Sequence, residues 1–283
     1  MAPNTENALV RQLNLRFENG QLRIHRQDPP WKVVRAFPQE GGQLLVHLHN
    51  VSGGILAGDQ LAMDIDVAAR ASVQVTTTGA TRLYRHRAGA PDSSQIVRIS
   101  VGDEALLEYL PDPLIPYRGA RHLQSTEIRL GERAALFWWE TLAPGRQAAG
   151  EEFSFENLRV QARVLSPSRP LLWENILMEP RERALHSVAR LERYRWMASL
   201  TICQVGQQPA FWRSLEDKLN AIAVKRSRTD EVIWGASILA ADGVVVRGLS
   251  ASGLNIHASL IDFWRLARQE ITGTEAAPPR KVN

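Results

Sequence analysis

Leu61-Ala62-Met63-Asp64-Ile65-Asp66-Val67 places an apolar side chain at every second position and a charged or small one between. Successive side chains of a strand point to opposite faces, so this spacing predicts a strand with one face in a core and one in water. The same period recurs along the chain. Leu13, Leu15 and Phe17 alternate with Asn14 and Arg16, and Val97, Ile99 and Val101 repeat the pattern. Leu158, Val160, Ala162 and Val164 alternate with Arg159, Gln161 and Arg163. Two further runs, Ala134 to Leu142 and Leu171 to Met178, are apolar at every phase and predict strands covered on both sides. Turn residues punctuate the series, at Glu18-Asn19-Gly20, Gly41-Gly42, Pro111 to Pro116, Ser166 to Pro170 and Ala241-Asp242-Gly243. Many short strands at this spacing predict a mostly-β protein of stacked multi-stranded sheets, as a β-sandwich or a β-helical arrangement. No internal repeat or low-complexity linker is evident, so residues 1–283 are read as one domain.

Helical period appears late. Phe211, Leu215, Leu219 and Ile222 share a face after Pro209, and Ile256, Leu260, Phe263 or Trp264, and Ala267 share one after Ser252-Gly253. Between them, Val232 to Leu239 and Val244 to Leu249 predict a hairpin over Asp242-Gly243. The tail from about 274 to 283, with Pro278-Pro279, is expected to be loose or held by a partner.

Composition narrows the function. Apolar residues make up 44% and charged ones 23%, an ordinary globular balance that argues against disorder. No stretch approaches the roughly 18 apolar residues that span a bilayer, and no apolar run follows a basic leader at the start. The single cysteine, Cys203, excludes an internal disulfide and a CxxC zinc site. A cytoplasmic protein without a membrane anchor is expected. Net charge is +4, with four lysines among 34 basic residues, so arginine carries the positive charge. Lys225-Arg226-Ser227-Arg228 is too short and too free of aromatics to predict nucleic-acid binding.

Few segments carry chemistry. His47-Leu48-His49-Asn50-Val51-Ser52-Gly53-Gly54-Ile55-Leu56-Ala57-Gly58-Asp59 holds three glycines in six residues, which suits a tight turn or an anion-facing loop. No Gly-Lys-Ser/Thr follows, so it is not a phosphate loop. His47 and His49 project from one strand face, where they can be two ligands to nickel, copper or zinc or simply hydrogen-bond beside the turn. Glu140 shares a face with Leu136, Trp138 and Leu142, and Glu174 shares one with Leu172 and Ile176. A carboxylate in such company needs an arginine, a hydrogen-bond net or a wet channel, and Arg118, Arg121 and Arg146 are candidate partners. Two such acids also suit a general acid/base pair of a hydrolase or carbohydrate-active enzyme. Cys203 lies in an apolar strand, and there is no Gly-x-Ser-x-Gly or HExxH motif, so nucleophilic and zinc-helix chemistry find no support.

The order of motifs from His47 to Gly273 resembles the urease accessory protein family UreD (UreH). His49 to Asp59 is similar to its His-x-Pro-Pro-Gly-Gly-hydrophobic-x-Gly-Gly-Asp, with Val51-Ser52 for Pro-Pro and Ala57 for one glycine. Thr76-Thr77-Thr78-Gly79-Ala80-Thr81-Arg82-Leu83-Tyr84-Arg85 resembles Thr-Thr-x-x-Ala-x-Lys-hydrophobic-Tyr-Arg. Leu107-Glu108-Tyr109-Leu110-Pro111 and Tyr117-Arg118-Gly119-Ala120 follow, then Trp139-Glu140, Gly145-Arg146 and Gly150-Glu151-Glu152-Phe153. The tail Pro279-Arg280-Lys281-Val282-Asn283 lacks the family's Ile-Trp after Pro-Arg.

The resemblance implies a non-catalytic metallochaperone scaffold. It would bind apo-urease with UreF-type and UreG-type partners and help deliver nickel(II), bound transiently, with no tightly held cofactor. In that light Asp59, Glu140 and Glu174, with His47 and His49, are candidates to line a metal route. Gly53, Gly54, Gly58, Tyr84, Arg85, Gly119 and Arg146 would build the family's structural motifs. Leu254, Ile261 and Arg265 on the second helix are candidates to meet the helical partner.

Overall fold

Inward side chains of the 61–67 run are sealed, since Leu61, Met63, Ile65 and Val67 are at most 2% exposed while Asp64 and Asp66 reach solvent. The computed structural model describes residues 9–187, 189–274 and 278. Along them run β1 (Val10–Glu18), β2 (Gln21–Gln27), β3 (Trp31–Lys32), β4 (Ala36–Pro38), β5 (Leu44–Asn50) and β6 (Gln60–Val67). Next come β7 (Ser72–Thr77), β8 (Thr81–Leu83), β9 (Ser93–Val101), β10 (Leu106–Leu110), β11 (Leu114–Pro116) and β12 (Arg121–Leu130). The rest are β13 (Ala135–Leu142), β14 (Asn157–Leu165), β15 (Pro170–Met178), β16 (Trp196–Gln204), α1 (Pro209–Arg226), β17 (Val232–Ile238), β18 (Gly243–Ser250) and α2 (Gly253–Thr272).

Two sheets stack face to face. One has seven strands in the order β15-β14-β12-β9-β6-β1-β2; the other has eleven, along the path β17-β18-β16-β13-β10-β7-β5-β3, with β4, β8 and β11 attached beside it. From β5 to β14 the chain alternates between sheets, so neighbours within a sheet run parallel: β6 with β9, β9 with β12, β12 with β14, and β5 with β7, β7 with β10, β10 with β13. The centre is thus a flattened β-helical coil, and antiparallel strands extend both sheets at their edges. Both forms of the expected β architecture are present in one molecule.

The coil contains a repeat that the sequence reading did not find. Val67-Ala68-Ala69-Arg70-Ala71, Val101-Gly102-Asp103-Glu104-Ala105 and Leu130-Gly131-Glu132-Arg133-Ala134 make the same corner in three successive turns. Arg70, Glu104 and Arg133 all take left-handed φ, at 62°, 58° and 56°. The corners stack through backbone bonds, Gly102 N–H donating to Val67 O at 2.8 Å and Gly131 N–H to Val101 O at 2.7 Å. Glycine is required here by closeness: a Cβ on Gly102 would stand 2.6 Å from the backbone nitrogen of Ala69.

Two cores result. Leu136 and Trp138 of β13 join the core between the sheets, whereas Phe137 and Trp139 join a second core under the helices. Coverage of β13 on both sides is as its sequence predicts. β15 departs from that expectation: its inward positions are covered, but Trp173 and Leu177 are 64% and 44% exposed. It is an edge strand with no further layer on its outer face among the described residues, and Trp173 is covered only in part, by the Arg163 guanidinium 4.2 Å above its ring.

α1 and α2 lie on the outer face of the eleven-stranded sheet. Pro209 suits the first turn of α1, where its missing N–H is not needed. Ser252 caps α2, its hydroxyl accepting from Leu254 N–H at 3.4 Å, and Gly273 ends it at φ 69°. A buried ion pair pins α2 to the sheet: Arg268 Nε donates to Glu108 at 2.6 Å, and Gln74 donates to the same carboxylate at 2.5 Å. Arg268 also donates to the Thr274 hydroxyl and carbonyl at 2.9 and 3.1 Å, which fixes the first residue of the expected loose tail. Residues 275–277 and 279–283 of that tail lie outside the described residues.

Candidate functional site

Register between strands assembles the site. Across the eleven-stranded sheet, Glu140 of β13 pairs with Ser199 of β16, Ser199 with Arg247 of β18, and Arg247 with Gly235 of β17. Alternation aims this row inward. Across the facing sheet, Thr126 of β12 pairs with Ala162 of β14, and Ala162 with Glu174 of β15. Small side chains at Ser199, Gly235 and Ala162 leave the space between these rows unfilled, and a cavity of about 560 Å³ opens there.

The cavity brings Glu140 and Glu174 together. Glu140 accepts no hydrogen bond from the described residues, and its carboxyl sits half-buried among apolar walls. Burial first, and the charge of Glu174 second, push its pKa up to about 8. Burial and then the Glu140 charge also raise the neighbouring Tyr109 phenol. Glu174 is held instead by an ion pair with Arg247. The arginine partner is therefore neither Arg118 nor Arg146, which serve Glu151, nor Arg121, which serves Glu156.

Polar groups continue from the cavity along inward positions of β12. Thr126 and Gln124 line it, joined by Gln95 of β9. His122 follows, 2% exposed, with Nδ1 2.9 Å from the Ser93 hydroxyl and its pKa lowered to about 4, chiefly by burial. Sequence reasoning missed this string and Arg247. The signal was present, since His122, Gln124 and Thr126 alternate at the phase where Ile128 and Leu130 are apolar.

Other expected site residues lie elsewhere. Asp59 is not on the cavity wall; its carboxylate accepts the Leu56 N–H at 2.8 Å and closes the glycine turn. His47 and His49 sit on β5 at the phase opposite Leu44, Val46 and Leu48, which face the inter-sheet core. His47 packs edge-on to Phe37 with ring centres 5.9 Å apart, and burial lowers the His49 pKa. Among the described residues, no three His, Cys, Asp or Glu side chains cluster as a metal cage. Cys203 is buried, which raises its thiol pKa.

The motif residues converge at one end of the coil. A Cβ on Gly54 would stand 2.5 Å from Arg82 O and 2.7 Å from the Tyr84 ring, so only glycine admits this contact. Gly53 and Gly58 turn the same loop with φ of 76° and 85°. Tyr84 meets Tyr117 at 5.1 Å, and Arg146 lies 4.4 Å over the Tyr117 ring while gripping Glu151 at 3.0 and 2.5 Å. Gly119, at φ 72°, abuts Arg85. On α2, Leu254 is 87% exposed and Arg265 is exposed, whereas Ile261 is 9% exposed and packs into the helix-side core.

Apolar and amide side chains line the chamber around three acids, Glu140, Glu174 and Asp112, a make-up that suits binding. Comparison with known proteins gives the family. The family of the UreD urease accessory protein matches residues 10–283. The urease accessory protein UreD of Herpetosiphon aurantiacus is 39% identical over 97% of this chain and 95% of its own length. That of Cenarchaeum symbiosum is 30% identical over 98% of this chain and 97% of its own, and that of Pseudomonas aeruginosa strain UCBPP-PA14 is 31% identical over 90% and 86%. The chain belongs to the UreD family of urease accessory proteins. It is an accessory factor in urease maturation and not an enzyme, which removes the hydrolase alternative for Glu140 and Glu174.

Proposed function

We propose that the chain passes nickel(II), as cargo, through the cavity between its sheets toward apo-urease while docked to UreF-type and UreG-type partners in the cytoplasm. The observation that carries this reading is the placement of Glu140 and Glu174 on facing walls of one cavity whose other walls are largely apolar. Carboxylates, amides and water suit a borderline cation such as nickel. A carrier must also let go, and a site with two available acids, the third lining acid Asp112 already accepting from the Thr77 hydroxyl at 2.9 Å, binds loosely enough for release. Asp59, whose carboxylate is engaged in its turn, supports the loop rather than the passage.

Glu140→Gln and Glu174→Gln test the reading. Each amide keeps hydrogen-bonding capacity and size while removing a carboxylate ligand: at Glu174 the charge that draws the cation, and at Glu140 a carboxyl that gives up its proton when the cation arrives. Nickel per urease active site is expected to fall several-fold in each, with pull-down of urease and accessory partners unchanged. Loading that falls only in proportion to complex recovered would overturn the passage role.

A further inference from the structure

Among the described residues, Arg247 and Glu174 form the one ion pair that joins a strand of one sheet to a strand of the other. It crosses the cavity at its lateral margin, between edge strand β15 and β18, which lies one strand in from the other edge. Among the described residues Glu174 has no second hydrogen-bond partner, and Arg247 is the group that satisfies it. Across from it stands Glu140, which has no hydrogen-bond or ion-pair partner among the described residues. The row Glu140-Ser199-Arg247 places one small residue between the acid and the guanidinium. The Arg247 side chain is 54% exposed, against 20% for Glu174, so the guanidinium has water beside it to enter.

We propose that Arg247 is a built-in competitor for the cargo: it holds Glu174, yields it to a divalent cation that bridges Glu140 and Glu174, and reclaims it as the cation leaves. The inference rests on the cargo reading above and assigns what sets the residence time. A divalent ion outbids a single guanidinium charge for a carboxylate when both acids face it in a low-dielectric chamber. The displaced arginine is weakly hydrated and half in solvent, so its withdrawal costs little. Its return gives the departing cation's place on Glu174 to another charge, so the acid is never stranded. Occupancy is thereby kept short without weakening the attraction that draws the cation in.

Nickel(II) equilibrium dialysis on the purified chain, with its accessory partner where needed for solubility, tests this in Arg247→Met, Arg247→Lys, Glu140→Gln, Glu174→Gln and the unaltered chain. Removing the competitor should tighten binding by about tenfold, the scale of one charge-assisted contact, and slow release on adding chelator. Arg247→Lys, which keeps a charge but not the planar fork, should fall between. Unchanged or weaker binding in both arginine variants, with binding still lost in the two glutamine variants, overturns the Arg247 role and leaves the cargo reading standing. Nickel binding untouched by either glutamine variant overturns both. If the unaltered chain binds below detection, an Arg247→Met variant that binds measurably supports the proposal, and one that does not counts against it.

Discussion

At the scale of single residues, Glu140 gives the sharpest expectation. Its pKa is raised from the ordinary 4.5 to about 8 by burial and by Glu174. Below pH about 4.5 both folded and unfolded chains hold the proton, and this group costs nothing. As pH rises toward 8 the unfolded chain releases its proton while the folded chain retains it, so stability contributed here declines across that window. Glu140→Gln mimics the protonated form and should abolish that decline. Its melting temperature should match the unaltered chain near pH 4 and exceed it at pH 8.5, read by thermal denaturation across the range. Equal pH profiles for the two proteins would contradict the buried state of this acid. Both cavity acids were legible in the sequence, because an acid at an inward phase of an apolar strand demands an explanation. Arg247 was not, because the run from Val244 to Leu249 reads as plain hairpin and its phase is fixed only by pairing with β16. That Asp59 lies off the cavity wall was hidden for a related reason: a glycine-rich segment has no period, so its sequence shows no face.

At the scale of elements, strand existence followed from alternation, and the two late helices from their period and caps. The corner repeat escaped because each copy spans only five residues, at unequal intervals, and shares only a first aliphatic residue and a closing alanine, its defining feature being a left-handed backbone at Arg70, Glu104 and Arg133. Gly102→Ala probes that corner. The added methyl meets backbone of the preceding turn at 2.6 Å, which no side-chain rotation relieves. A loss of about 1–3 kcal/mol is expected, typical of overpacking, seen as a lower melting temperature with unchanged far-ultraviolet dichroism at 20 °C. The helices separate fold from interface. Ile261 belongs to the core beneath α2, so Ile261→Asp should unfold the helix layer. Leu254→Asp, at an 87% exposed position, should keep the fold and the melting temperature. Partner pull-down that is lost in Leu254→Asp places the helical partner on this end of α2, and pull-down at full strength removes it from there.

At the scale of the whole molecule, the coil and the helices divide the labour. Stacked turns build a rigid two-walled body, the motif loops gather at one end of it, and the helix layer braces the opposite face of the larger sheet through Glu108 and Arg268. The cavity arises where small residues from two sheets come into register, a property no single segment of sequence displays. That is why its acids could be suspected individually while the chamber between them could not. If the cargo travels through this chamber, plugging the chamber must block it. Ser199→Leu adds bulk in the middle of the Glu140–Arg247 row without altering either charge. Nickel content of urease matured with this variant, measured beside the yield of the assembled complex, should fall several-fold while assembly stays intact. Full nickel loading with Leu at position 199 in a correctly folded chain would contradict passage through the chamber.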